Sequence, residues 1–139
     1  MFVFTWNDSL RTENTRIDKD NRIILEKAHE LGQSISSSKE EYQIIENLID
    51  LKKVVREHFE QEEMMQQYDH FNEYYDHKNS HAQFLKRLNK LSNKIMKDPF
   101  SQSHISELNT LMSEYCDDHI QKYDTEAAKF FMNRDFYNN

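Results

Sequence analysis

The stretch Ile44-Ile45-Glu46-Asn47-Leu48-Ile49-Asp50-Leu51-Lys52-Lys53-Val54-Val55-Arg56-Glu57-His58-Phe59-Glu60-Gln61-Glu62-Glu63-Met64-Met65 decides the fold. Within it Ile44, Leu48, Leu51, Val55, His58, Glu62 and Met65 follow one another at alternating steps of four and three. That spacing puts all seven on one face of a helix, predicted over about 40–68. The face begins apolar and ends with an imidazole and a carboxylate. A core-facing stripe that turns polar at one end is the first sign of a site.

The same steps recur on both sides of this helix. Ile24, Ala28, Leu31 and Ile35 mark a first helix over about 18–34, which Gly32 and the serines Ser34, Ser36, Ser37 and Ser38 weaken and close. Ser38 followed by Glu41 resembles a capping box for the second helix. Tyr74, His77, His81, Phe84, Leu88, Leu91 and Ile95 mark a third over 72–96, ended by Asp98-Pro99 because the residue before proline leaves the helical region. Ile105, Leu108, Met112, Tyr115 and His119 mark a fourth over 103–123, with Ser101 or Ser103 available as its cap. Ala127 to Met132 adds a short helical tail, and residues 1–16 form an irregular arm whose Phe2, Phe4 and Trp6 pack on the helices. Amphipathic helices joined by short connections bury their stripes best as an antiparallel up-down four-helix bundle, so the fold class is all-α, with one domain over 1–139.

Composition excludes other classes. The 139 residues hold one glycine and one proline, too few for a Gly-rich phosphate loop, a collagen repeat or a turn-dense β-sandwich. Eighteen Lys and Arg against 25 Asp and Glu leave a net charge of −7 with no basic patch, which argues against nucleic acid as a partner. The mean hydropathy of −0.98 argues against a membrane partner. Cys116 is the single cysteine, so no internal disulfide is expected, and Met1 to Phe4 lacks the basic flank of a signal peptide. A cytoplasmic location is therefore expected.

Chemistry enters where the stripes stop being apolar. His58 and Glu62 are four apart, as are His77 and His81, and each pair shares a face with apolar core positions. His119 continues the fourth stripe. Burying several imidazoles with a carboxylate is costly unless they are paired or bound to a metal. Four inward histidines and a glutamate on three helices point to a metal site. Mixed imidazole and carboxylate donors suit iron, zinc or manganese, and the lack of a cysteine pair argues against structural zinc. The donors exceed what one ion needs, and carboxylates can bridge, so the count favours two ions. A Glu-x-x-His diiron bundle would step by three, and these pairs step by four.

The blocks His58-Phe59-Glu60-Gln61-Glu62-Glu63-Met64-Met65, His77-Lys78-Asn79-Ser80-His81-Ala82-Gln83-Phe84 and His119-Ile120-Gln121-Lys122-Tyr123-Asp124 resemble those of the hemerythrin family, most of all its bacterial single-domain members. Trp6 and the pair Ile17-Asp18 match as well, so the likeness spans nearly the whole chain. The resemblance implies a carboxylate-bridged pair of irons. His77, His81 and His119 would be terminal ligands of one, Glu62 and Asp124 would bridge, and His58 would be a terminal ligand of the other, where dioxygen binds. His119 and Asp124 are five apart, a step that turns a regular helix by about 140°. Asp124 is therefore expected where the helix loosens or ends.

Glu13 and Asn14 stand where the family tends to have Gly and an apolar residue, but another departure from the family is the informative one. Where it has Ile-Asp-x-Gln-His, this chain has Ile17-Asp18-Lys19-Asp20-Asn21, so Asn21 stands in the place of the first histidine ligand. Asn21 lies three before Ile24 and still faces inward, but its amide is a weaker, neutral donor. The second iron is thus expected to bind weakly or to be partly occupied. Tyr115 stands where a Trp is common. His29, His70 and His104 match no block and are expected at the surface, Glu63 is expected to be solvated or to back the site, and Cys116 reads as a small buried hydrophobe. The function implied is a non-heme diiron protein binding dioxygen for storage, delivery or sensing, without catalysis. In the family's mechanism the diferrous pair passes two electrons to dioxygen. The alternatives are a diiron redox enzyme acting on peroxide or nitric oxide, and a mononuclear or metal-poor structural bundle.

Overall fold

The structure, a computed structural model, describes residues 4–138, with side chains described through residue 133. Phe2 lies outside the described residues. A short 3-10 turn at Asp8–Leu10 precedes α1 (Thr15–Ser36), α2 (Glu41–Tyr68), α3 (Tyr74–Lys97) and α4 (Ser103–Glu114). The last of these runs directly into a π-helical segment (Tyr115–Asp124) and then α5 (Thr125–Asn138). Every regular element among the described residues is helical. Connections of four, five and five residues join α1 to α4, so successive helices run antiparallel. α1 packs on α2 and α4, and α3 packs on the same two, which closes a four-helix bundle.

The sequence stripes are the core. Ile24, Leu31, Ile35, Ile44, Leu48, Leu51, Leu88, Ile95, Leu108 and Met112 are fully buried, each contributing about 1.5–3 kcal/mol of favourable transfer. A second, smaller cluster holds Ile17, Phe71, Ala127, Ala128 and Phe131, with Met65 and Phe130 against it. It forms because the C-terminal segment is a 14-residue helix rather than the short tail expected from Ala127 to Met132. α5 continues the fourth helix and brings Ala127 and Ala128 into one buried cluster with Ile17 of α1. The polar residues of the stripes lie between the two clusters. The arm tucks Phe4 and Leu10 into the main core, and Trp6 packs at its edge beneath the Arg22 guanidinium, 4.8 Å from the ring centroid.

The caps differ from the sequence reading. α1 begins three residues before the expected 18: Asn14 caps it by accepting from the Ile17 amide at 3.0 Å, while Asp18 accepts from the backbone and hydroxyl of Thr12. Ser38 does not cap α2. It has a φ of 51° and ends α1: its N–H donates to the Ile35 carbonyl and that of Lys39 to the Ser34 carbonyl, the Schellman pattern. His70, at φ 57°, ends α2 in the same way through Gln67 and Gln66. Two non-glycine residues thus sit in the left-handed region that this stop requires. Neither Ser101 nor Ser103 caps α4, whose cap position is Gln102 and has no side-chain cap bond.

Candidate metal centre

Three helical segments deliver the candidate ligands. On α2 a four-residue step carries His58 to Glu62 and a second carries Glu62 to Gln66, all three buried. On α3 the same step carries His77 to His81. His119 and Asp124 come from the π-helical segment, whose i→i+5 hydrogen bonding widens each turn and brings residues five apart onto one face. This resolves the 140° problem. The helix loosens at the required place, and Asp124 is fully buried beside His119.

One donor atom from each of Glu62, His77, His81, His119 and Asp124 falls within 4.8 Å of the others. His77 Nε2 lies 2.6 Å from Glu62 Oε1 and 3.1 Å from Asp124 Oδ1. His119 Nε2 lies 3.1 Å from Asp124 Oδ1, and His81 Nε2 lies 3.9 Å from Glu62 Oε1. His58 stands on the other side of Glu62, with Nε2 3.0 Å from Oε2. Of the seven positions read from sequence, the structure brings five into one cage. It sets His58 and Asn21 beyond its two carboxylates.

The donor chemistry fits a cation. His81 Nε2, His119 Nε2, His58 Nε2 and Glu62 Oε2 are buried without an aligned hydrogen-bond partner, lone pairs or protons aimed at one another across a small gap. Burying such atoms unpartnered is unfavourable, and a metal ion removes the penalty. Two carboxylates also balance the charge of one divalent ion among three neutral imidazoles. The outer ring nitrogens are held from behind, as metal-binding histidines require. His81 Nδ1 is 2.8 Å from Glu63 Oε2, His119 Nδ1 is 2.9 Å from Ser80 Oγ, and His58 Nδ1 is 3.0 Å from Asp20 Oδ2. The Gln66 amide lies 2.9 Å from His77 Nδ1, and its Nε2 donates to Glu62 Oε1 at 3.2 Å. Phe59 stacks on His81 at 3.8 Å between ring centroids and Tyr115 on His119 at 5.0 Å, which fixes the planes of both rings.

Without an ion the cluster shares protons. Burial lowers the affinity of His58 for its proton, but the hydrogen bond to Asp20 and the adjacent Glu62 carboxylate outweigh it and carry the ring up to about 10. Burial likewise opposes the charge on His77, and Asp124 and Glu62 carry it up to about 9. His81 goes the other way, well below its ordinary value, through burial and the neighbouring His119 and His77. Burial pushes Asp124 up, and the adjacent His119 and His77 more than reverse this, leaving it a carboxylate.

Asn21 is fully buried and faces Asp124, as its place on the α1 stripe requires. Its Nδ2 donates to Asp124 Oδ2 at 2.8 Å, and its Oδ1 accepts from the Tyr115 hydroxyl at 2.6 Å. A small cavity of about 70 Å³ opens beside His58 and Glu62, lined by Ile17, Met65, Phe131 and the Arg16 side chain.

Sequence reading missed three supports. Asp20, which points away from the Asn21 face, reaches His58 from the flank. Ser80 reaches across to the fourth helix. Gln66 was detectable, being four residues after Glu62 on the same face. His104 is a correction: expected at the surface, it is buried, and its Nε2 donates to the Asp98 carbonyl at 2.8 Å, tying the start of α4 to the end of α3.

Residues 12–130 match the Hemerythrin HHE cation binding domain, and the chain belongs to that family. No curated protein matches the chain. The family binds metal cations, and the buried cluster described above is where this chain can hold one. Among the described residues, no helix is long and apolar enough to cross a membrane.

Proposed function

We propose that the protein is a non-heme iron protein that binds dioxygen, or another diatomic molecule, at the His77–His81–His119–Glu62–Asp124 cage. The observation that carries this reading is the convergence of three imidazoles and two carboxylates, all buried, within 4.8 Å. That mixture of donors suits iron better than the softer or all-oxygen alternatives. Five protein donors leave one position of a six-coordinate ion for a ligand. A small cavity beside Glu62, on the side of His58, leaves room for a small molecule next to the cage and borders Ile17, Met65 and Phe131 as well as polar side chains.

The chain's own residues do the remaining work. The resemblance assigns Glu62 and Asp124 to a bridge between two irons, and each does turn one oxygen inward and one outward. Phe59 and Tyr115 hold the histidine rings in place, and α5 covers the end of the bundle and limits access of water. Iron, when bound, supplies the electrons and the open coordination position. We place the protein in the cytoplasm, where the single buried thiol of Cys116 would stay reduced.

The experiment is anaerobic loading with ferrous iron, followed by dioxygen and, separately, nitric oxide, with visible spectra recorded before and after the gas is removed. A ligand-dependent band that fades on removal, and is absent from His81→Ala, supports the reading. An iron-loaded protein whose spectrum ignores both gases would contradict it.

A further inference from the structure

We propose that this centre holds one metal ion, because Asn21 and Tyr115 close the second position with hydrogen bonds. The proposal rests on the metal-centre reading above and narrows it.

The second position is bounded by the outward oxygens of Glu62 and Asp124, by His58 and by Asn21. Two of these four groups are already engaged. Asp124 Oδ2 accepts from Asn21 Nδ2 at 2.8 Å. A carboxylate can only accept, so the nitrogen end of the amide must face it, which leaves the oxygen end facing away. That oxygen accepts from the Tyr115 hydroxyl at 2.6 Å. All three residues are buried, so no water competes for these bonds. The amide therefore presents N–H, the positive end of its dipole, to the place where a second cation would sit. Turning the amide over would point its oxygen at an ion, but it would also set an N–H against Tyr115 and leave the phenol proton without its acceptor.

What remains is His58 Nε2 and Glu62 Oε2. Two donors are fewer than the three protein ligands that an open catalytic zinc site keeps. The first position, by contrast, has five. Asn21 and Tyr115 are positioning residues here: they engage Asp124 Oδ2 and set an N–H beside it, which leaves Oδ1 as the oxygen free of a hydrogen-bond donor from Asn21. One ferrous ion gives one electron on becoming ferric, so such a centre would hold a diatomic ligand without the two-electron transfer of the family's iron pair.

The test is iron per chain after anaerobic ferrous loading and desalting, together with EPR of the oxidised protein. The parent should retain about one ion and show the signal of an isolated high-spin ferric ion. Asn21→His should move towards two ions and lose that signal by coupling. Asn21→Asp, which exchanges the N–H donor for a further oxygen and fits the same space, is the second variant should the imidazole not be accommodated. His58→Ala should leave the parent at one ion but return Asn21→His from two to one. Two ions in the parent would overturn the proposal while leaving the metal-centre reading intact. No retained iron would overturn both. One ion in the parent and in both Asn21 variants would show that Asn21 does not block the second position, and would overturn the proposal as well.

Discussion

Asn21 and Asp124, 103 residues apart in sequence, are joined by a 2.8 Å hydrogen bond from the amide nitrogen to the outer carboxylate oxygen. The inner oxygen of the same carboxylate faces His77 and His119, each at 3.1 Å. Asp124 thus divides a site with five donors from a neighbouring space lined partly by a hydrogen-bond donor. The expectations below follow from that division and from the buried, unpartnered atoms around it.

Metal should stabilise the bundle. The cage brings polar atoms together without aligned partners, and an ion that binds only the folded state adds about 2.7 kcal/mol at a hundredfold excess over Kd. For a chain of this length that is roughly 10 °C in Tm. Calorimetry with and without ferrous iron checks it. His81→Ala should remove most of the shift, and Lys86→Ala, on the exposed face of α3, should keep it.

The metal-free protein should lose stability as the pH rises. His58 and His77 protonate at about 10 and about 9 in the fold, above their ordinary 6.5, because flanking carboxylates outweigh burial. Stabilisation from these two rings is complete below 6.5 and disappears as the pH climbs through 9 to 10. Metal-free Tm should fall between about pH 7 and 10. Ferrous affinity should rise over the lower part of that range, since His77 must release its proton to bind. A metal-free Tm that increases with pH would contradict the proton-sharing described here.

Gln66 should matter to metal affinity although its amide lies outside the cage. Its amide lies 2.9 Å from His77 Nδ1, and its Oε1 is buried without a partner. A metal on His77 Nε2 places the ring proton on Nδ1, which then needs an acceptor, and the Gln66 oxygen is at hand. Gln66→Leu should weaken ferrous binding by about 10–100-fold, the usual cost of losing the group behind a ligand histidine. A calorimetric titration of both proteins reads this directly.

Much of this was legible in the sequence, for physical reasons that also explain the rest. The four-three stripe on α2 survives in the fold because burial of Ile44 to Val55 requires it, and it carries His58 and Glu62 inward. Asp124 was not placeable by spacing, since the π-helical turn is a change of backbone hydrogen bonding with no residue signature of its own. Asn21 was readable as inward and as a departure from its family. The direction of its amide was not, because Tyr115 and Asp124 set it from far along the chain. Ser38 illustrates local ambiguity: the same serine suits a helix start or, at positive φ, the end of the preceding helix.

That ending suggests a simple stability test. Ser38 and His70 occupy left-handed positions that glycine adopts without the steric cost of a Cβ. Ser38→Gly and His70→Gly should each stabilise the protein by up to about 1 kcal/mol, measured by denaturant unfolding. Destabilisation by either would mean that its side chain makes a contact worth more than the relief of strain.

The central claim is that the buried cluster is a metal centre with Asp124 delivered by the π-helical turn. The most direct measurement is the iron retained after anaerobic ferrous loading and desalting, in the parent, in Asp124→Ala and His119→Ala, and in His70→Ala, whose exposed side chain lies outside the cluster. The account predicts that the parent and His70→Ala retain iron alike and that both cluster variants lose most of it. Equal retention in all four proteins, or none in the parent, would contradict it.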